Sequence, residues 1–151
     1  MRIKLFFTIG IMLLLVGCAS TTSMVVDPGS RVPQYDSAYV VKHGGNSSDM
    51  DDALTTALLK QHLNVKSGNK APVSSMQQYI VTYSDHWYWD LVMYLKAVSI
   101  SIKNGTNHNI IAQGSWENSF LHSYPDVNEV MENLVHKLFQ KIRLKSAESD
   151  N

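Results

Sequence analysis

Between Val98 and Gly105 the chain spells out most of one half of a β-hairpin. Val98, Ile100 and Ile102 alternate with Ser99, Ser101 and Lys103, the two-residue period of a strand with one face in a core and the other in polar surroundings. Asn104-Gly105 follows, a dipeptide whose residues both tolerate positive φ and which therefore predicts a tight reversal. Ile110 to Phe120 then returns as a strand, with Ala112, Trp116 and Phe120 on one parity. A sheet with one apolar face needs a second layer to cover it, and that requirement organises the rest of the reading.

Two segments qualify as the cover. Met50, Ala53, Leu54, Ala57, Leu58 and Gln61 fall at helical spacing, with Asp49, Asp51 and Asp52 at the end where acids complement the helix dipole and Lys60 near the other. Val127, Val130, Met131, Leu134, Leu138 and Ile142 form a second apolar stripe. Asp126 with Glu129 resembles a capping box, and Lys137, Lys141 and Arg143 load its C-terminal end. Ala38–Lys42 and Tyr79–Tyr83 add strands, while 44–49 and the Ser67-Gly68-Asn69 stretch with Pro72 read as loops. The order β-α-β-β-β-α predicts an α+β two-layer sandwich: two helices packed on one face of a mainly antiparallel four-stranded sheet. If the first two strands are neighbours, their crossover makes them parallel and right-handed.

The amino terminus is of another kind. Met1–Gly17 holds Arg2 and Lys4, no acid, and a short apolar run from Leu5 to Val16, the pattern of a secretory signal and too short to span a bilayer. It ends in Leu15-Val16-Gly17-Cys18, and Cys18 is the only cysteine. This tetrapeptide resembles the lipobox of bacterial lipoproteins. The resemblance implies a diacylglyceryl group on the Cys18 thiol, cleavage before it and acylation of the new amino terminus. Several chains at one site hold a protein on a membrane far more firmly than a single chain does. Ala19 follows rather than Asp, which by the same resemblance implies the outer membrane, with the domain facing the periplasm. The expected organisation is a removed signal over 1–17, lipidated Cys18 and a flexible tether over 18–36, a single domain over 37–145 and a polar tail over 146–151. Ser20, Thr21, Thr22, Ser23, Pro28, Gly29, Ser30 and Pro33 suggest the tether. The formal charge is zero before cleavage, so nothing marks the chain as a nucleic-acid binder.

The densest unusual stretch is Tyr83-Ser84-Asp85-His86-Trp87-Tyr88-Trp89-Asp90, followed by Tyr94. No Gly or Pro interrupts Tyr79–Lys103, yet the run is too long for one strand, so a turn or bulge must fall inside it, around 84–90. In extended backbone Asp85, Trp87 and Trp89 share one face, and His86, Tyr88 and Asp90 the other. Three readings stay open: aromatics that cap the core and pair across strands; a docking surface for a protein, glycan or lipid headgroup; or a metal or catalytic site using Asp85, His86 and Asp90.

Other chemistry finds little support. His43, His62, His86, His108, His122 and His136 include no pair at ligand spacing and no HExxH. No metal or cofactor is expected beyond the lipid on Cys18. Ser67-Gly68-Asn69-Lys70 matches Ser-x-x-Lys without its companion motifs. His43-Gly44-Gly45-Asn46 lacks a phosphate-loop pattern and precedes three acids. The sequons at Asn46 and Asn104 are coincidental in a bacterial chain.

The element order resembles that of the LPS-assembly lipoprotein family, in topology over about one hundred residues, and the whole chain resembles small proteobacterial outer-membrane lipoproteins. The expected function is non-enzymatic: an accessory or assembly lipoprotein in contact with an envelope partner. The contact residues would be Asp85, Trp87, Tyr88, Trp89, Asp90 and Trp116, with whichever sheet face the helices leave open. The alternative is a glycan- or lipid-binding domain, or an envelope enzyme, with a pocket near Asp85–Asp90.

Overall fold

The computed structural model describes residues 20–28, 32–42, 48–72, 76–119 and 124–149. The signal segment, Cys18, His43, Phe120 and His122 lie outside the described residues. Eight elements follow one another: β1 (Thr21–Val26), β2 (Ser37–Val41), α1 (Ser48–Leu59), β3 (Asn64–Gly68), β4 (Tyr79–Trp89), β5 (Met93–Asn104), β6 (Ile110–Glu117) and α2 (Val127–Ser149). They form an α+β fold in which two helices cover a mixed six-stranded sheet of order β1-β6-β5-β4-β2-β3. Among the described residues no helix is long and apolar enough to cross a membrane.

Six strands stand where four were expected. The first addition is β1, placed in the tether by its Ser and Thr content. Thr22, Met24 and Val26 lie opposite Trp116, Gly114 and Ala112 of β6, so β-branched and apolar side chains at every second position bring the strand into the sheet. Residues 32–36 of the expected tether also pack on the domain: Val32 is buried, and Ser146 Oγ donates to its carbonyl at 3.3 Å. Within the expected polar tail of 146–151, α2 continues as far as Ser149. The second addition is β3, which contains Ser67 and Gly68. It pairs in parallel with β2 across the α1 crossover, and β2 pairs in parallel with β4.

The core lies between the helices and one sheet face. Val98, Ile100 and Ile102 of β5 stand opposite Trp116, Gly114 and Ala112 of β6 and Asp85, Tyr83 and Val81 of β4. Met50, Leu54 and Leu58 of α1 and Met131, Leu134, Leu138 and Ile142 of α2 pack on them. Asp126 caps α2, its Oδ1 accepting the Asn128 and Glu129 N–H groups at 2.8 and 3.1 Å. Lys60 of the α1 end pairs with Glu132 of α2 at 2.5 Å. The helices approach closely because β6 offers glycine at Gly114: a Cβ there would lie 3.0 Å from both methyls of Leu138.

The reversal after β5 is longer than a two-residue turn. The Asn104 N–H donates to Asn109 O and the His108 N–H to Asn104 O, each at 2.8 Å, and the positive φ falls on His108 at 59°. Gly105 serves close approach instead. Its N–H donates to Gln78 O at 2.9 Å, and a Cβ there would sit 2.6 Å from that oxygen.

Tyr79 ties the 32–36 segment to the core. Its hydroxyl donates to Pro33 O at 3.1 Å and accepts the Tyr35 N–H at 3.2 Å, while its ring meets Phe139 edge-on at 5.3 Å. Burial pushes this phenol above its ordinary 10.0. A raised folded value means that folding favours the protonated form, so the contribution is complete below about pH 10 and is lost as pH rises toward the folded value. Ultraviolet titration is expected to show late-ionising tyrosine, one equivalent of which disappears in Tyr79→Phe.

Candidate functional site

The aromatic segment divides among three environments. A bulge between His86 and Trp87 shifts the β4–β5 register, leaving Trp87 opposite Leu95, Tyr88 opposite Tyr94 and Trp89 opposite Met93. Trp87 therefore stays on the helix side, half-buried against the core, with its Nε1–H donating to Asp85 Oδ2 at 2.6 Å. Trp116 lies in the same layer, 8 % exposed. Trp116 is withdrawn from the surface, while Trp87 keeps part of its ring exposed. Trp89 is 68 % exposed, because its strand has run beyond the helices.

Tyr88 and Tyr94 point to the other face. Tyr94 is buried between Tyr88 and Tyr124, with edge-to-face ring contacts at 5.9 and 5.7 Å. Desolvation, then the nearby Asp90, holds its phenol above the ordinary tyrosine value. Beyond this cluster the hairpin turns through Asp90-Leu91-Val92, with the Asp90 N–H donating to Val92 O at 3.2 Å. Leu91 is 83 % exposed, and Val92 and Met93 are exposed beside it. Of the expected contact residues, Tyr88, Trp89 and Asp90 are exposed, and Leu91, Val92 and Met93, outside that set, join them at the surface. The signal for the added three was their position: large apolar residues where a reversal normally carries Gly, Asn or Pro.

The sheet face opposite the helices is a second feature. Across β1, β6, β5 and β4 it presents Ser23, Ser115, Gln113, Ser99, Thr82 and Ser84, lining a trough of about 710 Å³. These side chains are uncharged hydrogen-bonding groups, with the exposed Val25 beside them. Ser101 lies among them, and its Oγ is shielded from solvent without a hydrogen-bond partner among the described residues. At the β2–β3 edge Tyr39 leans over Gly68, its hydroxyl occupying the space a Cβ would take.

Asp85 and Asp90 do not converge. One bonds Trp87 on the helix side and the other sits in the exposed turn, and neither lines the trough or the smaller cleft beside Asp126 and Glu129. Among the described residues no three His, Cys, Asp or Glu side chains gather as a metal would need. His86 is exposed, and His62 follows the end of α1 at φ 65°.

No protein family and no curated protein matches the sequence. Solved structures do. Two PelC dodecamers from Paraburkholderia phytofirmans, one of a variant, superpose with TM-scores of 0.56 and 0.51 at 11 % and 12 % identity. Each match covers 82 % of this chain and 97 % of that one. A minor lipoprotein from Acinetobacter baumannii matches at a TM-score of 0.37 and 11 % identity, over 76 % of this chain and 95 % of the other. At these identities the PelC likeness is one of fold.

Proposed function

We propose that the chain is an outer-membrane lipoprotein, anchored through lipids on Cys18, whose domain works by non-enzymatic contact with an envelope partner. The observation that carries this reading is the uncovered hydroxyl face of the sheet. Both helices are spent on the opposite face, and the open side has uncharged donors and acceptors that a partner surface can pair. Ser101 Oγ, desolvated without a partner among the described residues, is a group whose cost falls when an incoming donor or acceptor meets it. The two PelC structures are dodecamers, so further copies of this chain are among the candidate partners.

The competing reading, a pocket at Asp85–Asp90 for a glycan, a lipid or a reaction, has less support, because those carboxylates point into different environments. The deciding experiment is photocrosslinking in intact membranes, with a reactive residue at Ser99 in the trough and a control at His136 on exposed α2. A discrete adduct from Ser99 alone is expected, and its mass distinguishes a second copy from another envelope protein. Folded, lipidated protein that gives no adduct from Ser99 rules this contact face out.

A further inference from the structure

Strand register places the amino terminus and the exposed hairpin at the same end of the sheet. Thr21 lies opposite Glu117, Glu117 opposite Ala97, and Ala97 opposite His86. One row therefore joins the first residue of β1 to the point where β4 and β5 leave the body of the domain. From this row the hairpin continues through Trp87, Tyr88 and Trp89 to its turn, a rise of about 10 Å at the usual strand spacing. Thr21 begins β1 at this row, and Cys18 is three residues before it, within at most about 10 Å of chain. An anchor at Cys18 therefore keeps the Thr21 row within about 10 Å of the bilayer, close enough for the hairpin tip to reach its plane.

The chemistry of the tip suits that plane. Trp89, Leu91, Val92 and Met93 are exposed at its end, and the Tyr88–Tyr94–Tyr124 cluster stands behind them. Tryptophan and tyrosine favour the headgroup level, where an apolar ring and a polar tip are both satisfied, and aliphatic side chains favour the layer just below. Asp90 is the only charged residue from Tyr88 to Leu95. A turn built from Leu and Val breaks the local rule that reversals are polar, and such breaks need a compensating environment.

We infer that the β4–β5 hairpin is a second membrane contact, entering the interfacial layer of the bilayer that holds the Cys18 lipids and fixing the orientation of the domain on it. The inference rests on the lipid-anchor reading and adds to it a defined pose. The strand axes stand steeply on the membrane, and the hydroxyl trough opens sideways rather than toward the lipid.

Because Cys18 is the only cysteine and its thiol is occupied by lipid in this reading, a new cysteine can be labelled alone. Full-length lipidated Leu91→Cys, labelled with an environment-sensitive fluorophore and reconstituted in phosphatidylethanolamine–phosphatidylglycerol vesicles, reads the tip; His136→Cys on α2 is the control. The Leu91 label is expected to shift to the blue and lose about half its emission or more to lipid carrying a shallow nitroxide, since interfacial elements sit about 5–10 Å deep. The control stays unquenched by lipid and open to aqueous iodide. Intact mass and vesicle flotation report the anchor separately, and an unmodified Cys18 overturns both readings. A lipidated chain whose Leu91 label is as accessible to iodide as the control overturns the hairpin contact alone. So does a label shielded from iodide but untouched by lipid quencher, which would place protein over the tip.

Discussion

Replacing Trp116 by alanine is expected to cost about 3–5 kcal/mol of unfolding free energy, the range for an aromatic removed from a packed core. Trp116 stands opposite Val98 beneath α2 with 8 % of its surface exposed, so its loss opens a cavity between sheet and helix that the surrounding strands cannot close. A domain of this size has about 5–15 kcal/mol in total, so the thermal midpoint should fall by on the order of 10–20 °C. Below that midpoint a Ser99 crosslink should form as in the parent chain. Circular dichroism melts and crosslinking on the same variant separate the two roles: a stable Trp116→Ala protein that no longer crosslinks would place Trp116 in the contact surface after all.

Leu138→Ala should cost about 2–5 kcal/mol by the same mechanism, and its size is coupled to Gly114. The Leu138 methyls lie 3.0 Å from where a Gly114 Cβ would stand, and Leu138 itself is fully buried. Gly114→Ala alone therefore overpacks the contact, at about 1–3 kcal/mol. Combined with Leu138→Ala, the added methyl enters the space left by the leucine. The double variant should then be more stable than the sum of the single effects by about 1 kcal/mol or more. Urea unfolding of the four members of the cycle measures this coupling, and strict additivity would mean that α2 does not rest on β6 at this point.

Much of the architecture was legible where the pattern was strong. The stripes of Met50–Leu58 and Val127–Ile142 gave helices on the core, and the alternation of Val98, Ile100 and Ile102 gave the strand at the sheet centre. The edges were not legible. β3 carries a single half-buried apolar side chain, Val65, so nothing within Asn64–Gly68 distinguishes it from a loop; it becomes a strand because β2 offers it an edge. Thr21–Val26 did carry a signal, four β-branched residues in six, but its hydroxyls also fit a linker. For the tryptophans, parity within each strand was available from sequence, but their burial depended on where β4 and β5 outrun the helices. That boundary is tertiary, which is why Trp87 and Trp89, of like parity, end in different surroundings.

The pairing of β1 with β6 also sets a timetable. Under the lipoprotein reading proposed above, Thr21 is among the first residues of the domain to leave an exporting channel, whereas its partner Glu117 follows about a hundred residues later, a long loop to close. Until then β1 has no neighbour in the sheet, because it stands at the edge and pairs with β6. In that reading Thr21–Val26 has no ladder partner for most of the chain's passage, and the nearby Cys18 is open to the enzymes that would process it. Closure of the last hydrogen-bonded ladder then draws that end into the finished domain.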